Sequence, residues 1–131
     1  MLTSIIVPRP VRMPSDPRTH LPLKPVDLVL LLTLVEGEQH GYALATEIAE
    51  RTDGVVRLEP GNLYRVIRRL VDDGLVDVSQ KRPVAALDDE RRRYYRITAL
   101  GERVAALEVQ RLRALVSSRA ARALPAVPAS A

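Results

Sequence analysis

The chain has no cysteine, no tryptophan and no phenylalanine among its 131 residues. Without cysteine there is no disulfide framework and no thiolate chemistry, and the sequence reports no redox compartment. Histidine is nearly as scarce, since His20 and His40 stand far apart and fit no metal-ligand spacing. Aromatic contacts are left to Tyr42, Tyr64, Tyr94 and Tyr95. Nucleophile–base pairs therefore have few candidates, and Gly54 and Gly61 flank no phosphate-loop pattern. Asp88, Asp89 and Glu90 lie beside Arg91, Arg92 and Arg93 and read as local charge balance. No enzymatic activity, metal or cofactor is expected. Long apolar runs are missing too. The longest, Leu28 to Val35, is far too short to span a bilayer. The opening apolar run is broken by Pro8 and Pro10, unlike a signal peptide. A cytoplasmic protein with no membrane partner is expected.

What is present suits one soluble domain, with 47% hydrophobic and 27% charged residues. The net charge of +4 is unevenly spread. Residues 26–54 set Arg51 against six carboxylates, whereas residues 55–98 carry ten basic and seven acidic groups. A positive surface on an otherwise acidic body suits a polyanion.

The stretch Gly61 to Gly74 organises the rest. Leu63, Val66, Ile67, Leu70 and Val71 recur at the spacing of a helix packed on a core. The opposite arc carries Asn62, Arg65, Arg68, Arg69 and Asp72. Glu59 and Pro60 favour a helix start and Gly74 a stop. Two helices should precede it, one over residues 26–36 and one from Tyr42 to about Arg51, with residues 38–40 as a turn and Val55 to Leu58 as a short β-like run. In the second helix Leu44 and Ile48 face the core, with Ala45 and Ala49 allowing close approach. This is a helix-turn-helix order with a basic outer face on its third member.

After Gly74, Leu75 to Val78 and Arg93 to Thr98 read as two strands joined by a long charged loop. A hairpin there is the wing of a winged helix-turn-helix, and it would set Lys81, Arg82, Arg91 and Arg92 beside the arginines of the third helix. A last helix, capped by Thr98, should run to about Ala123, where Pro125 and Pro128 follow. Its apolar residues form two arcs, Leu100, Val104, Leu107, Ala114 and Leu115 on one and Val109, Leu112 and Val116 on the other. A second copy of the chain would cover both; a single broad stripe folded back on the monomer is the alternative.

The expected fold is mainly α (α+β), a winged helix-turn-helix with a two-stranded β wing and a long C-terminal dimerisation helix. Residues 1–24, rich in proline and basic, are expected to form a flexible arm that could lie on nucleic acid or serve no purpose. Residues 25–98 form the DNA-binding domain, 99–123 the dimerisation helix and 124–131 a disordered tail. Dimerisation falls to Leu100, Val104, Leu107, Leu112, Leu115 and Val116.

The run His40-Gly41-Tyr42, then Leu58 to Tyr64, Arg69-Leu70, Gly74-Leu75-Val76 and Arg93 to Thr98 with Gly101 resembles the PadR-like family of transcriptional regulators over roughly residues 26–110. The resemblance implies a bacterial winged-helix repressor, dimeric through its C-terminal helix. It implies that Tyr64 and the polar face of the third helix meet the major groove of double-stranded operator DNA, and that Tyr42 lies near the DNA backbone. Asn62 stands where the family usually has Thr or Ser, and Arg65 where it often has Pro, so a relative's operator does not transfer. Both types suit base edges: Asn can pair with adenine and Arg with guanine. The resemblance also admits a small-molecule effector near the dimer interface, although the last helix offers no aromatic residue to stack on one. The competing reading is a winged-helix module that binds another protein without sequence-specific DNA binding. That would call for apolar residues on the outer face of the third helix.

Overall fold

The computed structural model describes residues 16–79 and 93–128. Its elements run α1 (Pro25–Val35), β1 (Gln39–His40), α2 (Gly41–Arg51), α3 (Pro60–Asp72), β2 (Val76–Ser79), β3 (Tyr94–Ile97), α4 (Ala99–Val116) and α5 (Arg119–Arg122), preceded by a 3-10 turn, Pro17–His20. This is the expected mainly helical winged fold with a small antiparallel sheet.

α1 forms the middle of the core. Pro25 occupies its first turn, where a missing N–H costs nothing, and Leu30, Leu31 and Leu34 are wholly or almost wholly buried. Each such leucine contributes about 1.5–3 kcal/mol by leaving water. The helix packs against α2, α4 and β3. Its one buried hydroxyl, Thr33 Oγ1, donates to the Val29 carbonyl at 2.8 Å, so no polar group is stranded there.

α3 ends in a glycine cap. Gly74 has φ +81°, its N–H donates to the Val71 carbonyl, and the Leu75 N–H reaches back to Leu70 at 2.9 Å. That is a Schellman motif, with Leu70 and Leu75 buried against each other's level of the core. The chain passes straight into β2, which pairs antiparallel with β3 so that Val76 faces Ile97 and Val78 faces Tyr95.

The sheet has three strands, in the order β1-β3-β2. The expected turn at residues 38–40 supplies β1, with Gln39 opposite Tyr95 and His40 opposite Tyr94. Two residues are too few to show an alternating pattern. The expected β-like run Val55 to Leu58 forms no strand. Val55 is exposed while Val56 and Leu58 lie against the core, so the segment is an extended connection with no strand beside it.

The last helix is two. α4 stops at Val116, and Ser118 starts α5 by accepting the Ala121 N–H at 3.2 Å. A serine pair offers the backbone a cap in place of continuation.

Residues 16–24, expected within a loose arm, are seated on the domain. The 3-10 turn packs on α4, Leu21 and Leu23 pack against the core, and the Leu23 N–H donates to Glu108 Oε2 at 3.1 Å. The rest of that arm, residues 1–15, lies outside the described residues. Glu108 is buried at 1% exposure and accepts two bonds from Arg111, at 2.6 and 2.8 Å. The Arg111 guanidinium holds the Glu108 carboxyl below its usual value of 4.5, against the opposing pull of burial and with help from Leu23. A carboxylate lowered in the folded state stabilises it fully above that usual value and progressively less as the pH falls through the lowered one. Melting temperature should therefore drop as pH falls below 4.5, and Glu108→Gln should flatten that dependence. An unaltered acid limb in the variant would show that Glu108 plays no part in it.

Candidate nucleic-acid interface

α3 divides into two faces. Leu63, Ile67 and Leu70 are buried, with Val66 and Val71 packed beside them. Asn62, Arg65 and Arg68 are exposed on the opposite face. Arg65 Nη1 donates to Asn62 Oδ1 at 3.2 Å, three residues back along the helix, which is the spacing at which helical side chains meet.

Two expected members of this surface are placed elsewhere. Arg69 turns to the flank and donates through Nη1 and Nη2 to the two oxygens of Asp27, both at 2.9 Å. Asp27 sits in the first turn of α1 at 4% exposure, and its bidentate bond raises the Arg69 pKa further. This arginine fastens α3 to α1. A helical wheel puts it on the polar arc because it cannot show that another helix begins beside it. Tyr64 is the second. Its ring belongs to the buried core at 8% exposure, because it follows Leu63 round toward Val71 on the packed side. Neither Asp27 nor Glu108 was singled out from the sequence. The signal for both was an acid set among apolar neighbours on a buried stripe.

Tyr42 is 65% exposed at the start of α2. Its ring lies 6.2 Å from that of His40, and His40 meets Tyr94 edge-on at 4.8 Å. Strand β1 thus links α2 to the wing. Between α3 and the strands of the wing, a cleft of about 160 Å3 is lined by Arg68, Arg93 and Asp72 over Ile67, Val71 and Tyr95. Arg93 is exposed and extends the cationic surface beyond the residues picked from the sequence. Arg96 pairs with Asp77 across the strands at 3.6 Å. Lys81, Arg82, Arg91 and Arg92 lie outside the described residues.

Of the six residues expected to form a dimer contact, Val104 is wholly buried within its own chain and Leu100 packs against the core beside Gly74. α4 lies on α1 and β3 here, so these two hold the helix to its own domain. Leu107 and Leu112 are half-buried, and Leu115 and Val116 are exposed.

Among the described residues no group of three His, Asp or Glu could hold a metal ion, and no helix is long and apolar enough to cross a membrane.

Known proteins fit this arrangement. The model of the transcriptional regulator PadR-like family matches residues 30–107. "Uncharacterized protein X" of Lysinibacillus sphaericus is 32% identical over 82 residues, 59% of this chain and 68% of that protein. A solved transcriptional regulator from Clostridium thermocellum superposes with a TM-score of 0.58 at 25% identity, covering 76% of this chain and 86% of that one. A PadR family transcriptional regulator from Eggerthella lenta gives 0.55 at 27% identity, covering 77% and 79%. With the two-faced α3, its glycine cap and the adjoining wing, this chain belongs to the PadR-like family of transcriptional regulators.

Proposed function

We propose that the chain is a repressor that binds a palindromic operator as a homodimer, with α3 of each copy in the major groove. The observation that carries this reading is the outer face of α3, which presents Asn62, Arg65, Arg68 and, near its end, Asp72, and no apolar side chain. Such a face suits base edges and phosphates and speaks against the protein-binding alternative, which needs an apolar surface. Asn62 and Arg65 form the base-reading end of the helix. Arg68, with Lys81, Arg82, Arg91 and Arg92 of the wing, holds phosphates, and Tyr42 lies along the backbone.

The test is selection of DNA fragments by the purified protein from a genomic pool, then titration of the winner at two salt concentrations. A palindromic consensus with a steep salt slope is expected. Arg68→Ala should weaken binding to all sequences and reduce that slope by about one. No enrichment, with only weak salt-sensitive binding, would favour the protein-interaction reading.

The dimer reading rests on α4. At its far end the helix leaves Leu115 and Val116 uncovered. An apolar cleft of about 400 Å3 runs between α1 and α4 over Leu32, Val35, Ala105, Ala106 and Val109, with Glu102 and Arg113 at its two ends. Those two residues are about 16 Å apart along the helix, at 1.5 Å per residue. A second α4 laid antiparallel across the cleft, with the two-fold axis near Ala106 and Val109, sets each Glu102 against the other copy's Arg113. Such self-complementarity is what a two-fold interface requires. Arg113→Glu should weaken the dimer at least tenfold, because like charges would then meet, and adding Glu102→Arg should restore it. Sedimentation reads both. An unchanged mass for Arg113→Glu would place the interface elsewhere.

A further inference from the structure

The hydrogen bond between Arg65 and Asn62 constrains what the outer face of α3 can read. Arg65 spends one N–H of Nη1 on Asn62 Oδ1. The guanidinium edge made by Nε and Nη2 is left intact, with two parallel N–H donors in a fixed plane. Asn62 has its carbonyl oxygen on Arg65, and its amide Nδ2 carries two further donors. Both side chains are exposed, and they occupy the first turns of α3, where a helix entering a groove meets base edges.

A surface that offers mainly donors selects among bases. In the major groove guanine presents two acceptors, O6 and N7, while adenine presents one acceptor and one donor, and cytosine a donor. To read adenine with both ends of its amide, Asn62 would have to bring the second lone pair of Oδ1 onto the adenine N6 amino group while the first stays on Arg65, which sets the guanidinium donors beside a group that is itself a donor. Read singly, Asn62 suits adenine and Arg65 suits guanine; bonded together they suit guanine. The bond also fixes a flexible side chain before contact, which removes part of the ordering cost of binding.

We propose that Asn62 and Arg65 form one reading unit for guanine, in which Arg65 meets O6 and N7 of a single base in each half-site and Asn62 positions it. This rests on the reading of α3 as the element that enters the major groove.

The test uses the full chain and the sequence it selects from a random pool. Each guanine of the selected site is replaced in turn by adenine, or by 7-deazaguanine, which removes only the N7 acceptor. Wild type, Asn62→Ala, Arg65→Ala and the double variant are titrated against every duplex. One guanine per half-site should show a loss of roughly tenfold to a hundredfold on change to adenine, and a smaller loss with 7-deazaguanine. Arg65→Ala should abolish discrimination at that base. Asn62→Ala should reduce it several-fold at the same base and at no other, and should add nothing in the Arg65→Ala background. A thermal melt checks that each variant remains folded. If Asn62→Ala alters preference at a different base from Arg65→Ala, the two residues read independently and the proposal is overturned. An adenine at the position sensitive to Arg65 also overturns it. Both of those outcomes leave α3 as the reading helix. A pool from which wild type enriches nothing defeats the DNA reading itself, and the guanine unit with it.

Discussion

Arg69→Ala should cost the fold roughly 3–5 kcal/mol and leave the choice of DNA sequence unchanged. Both consequences come from one geometry. The Asp27 carboxylate is buried at 4% exposure and receives both guanidinium ends of Arg69. Removing the arginine leaves that buried charge without its counter-ion. The reverse substitution should be milder. The Arg69 side chain is 38% exposed, so after Asp27→Ala the guanidinium can turn toward solvent, and a loss of about 2 kcal/mol is expected, near the cost of an unmade bond to a charged group. Urea unfolding of the two variants gives the ranking. Equal or inverted losses would show that the carboxylate is not the member in need of a partner. Titration of folded Arg69→Ala against the selected operator and its point variants tests the other half. A change of base preference would return Arg69 to the reading surface.

Gly101→Ala should lower stability by about 3 kcal/mol, although alanine is the better helix former by about 1 kcal/mol. A Cβ at this position would fall 2.2 Å from the Leu75 carbonyl oxygen and 2.7 Å from Ile97 Cγ1. The first of these is backbone, and it already accepts the Thr98 N–H at 3.0 Å, so it cannot swing aside as the tip of a side chain would. The overlap outweighs the propensity gain. Differential scanning calorimetry should show a fall in melting temperature of about 10 °C. A rise, or no change, would mean that the start of α4 can shift off β2 at little cost.

The contrast between these two positions shows how far the sequence could be read. The apolar stripe of α3, its stop at Gly74 and the two strands of the wing were legible because each depends on neighbours close in the chain. Period and turn chemistry are local properties. Arg69 and Asp27 are 42 residues apart, and no periodicity reveals that one helix begins where another ends. For the same reason Val104 and Leu100 looked available for a partner copy, since a wheel gives the angle of a residue and not what stands opposite. Glu108 was passed over because an isolated acid in a helix looks solvated until its partners, the Leu23 N–H and Arg111, are seen around it. Gly101 was noticed as a motif letter, and only the structure gives the reason for it.

The Thr98 hydroxyl donates to the Gly74 carbonyl at 2.7 Å and accepts the Gly101 N–H at 2.9 Å. One side chain thereby clamps the end of α3 to the start of α4, with Gly101 closing the joint from the other side. In the proposed dimer, joined through the α4 helices, each copy would then act as one stiff leg of a calliper. The gap between the two tips is set by the angle at which the legs cross, and hardly at all by flexing within a leg. Any influence that tilts one α4 against the other changes the length of DNA the pair can span without touching a base-reading residue. On the proposed dimeric reading, the spacing between half-sites is accordingly the property most open to adjustment from a distance.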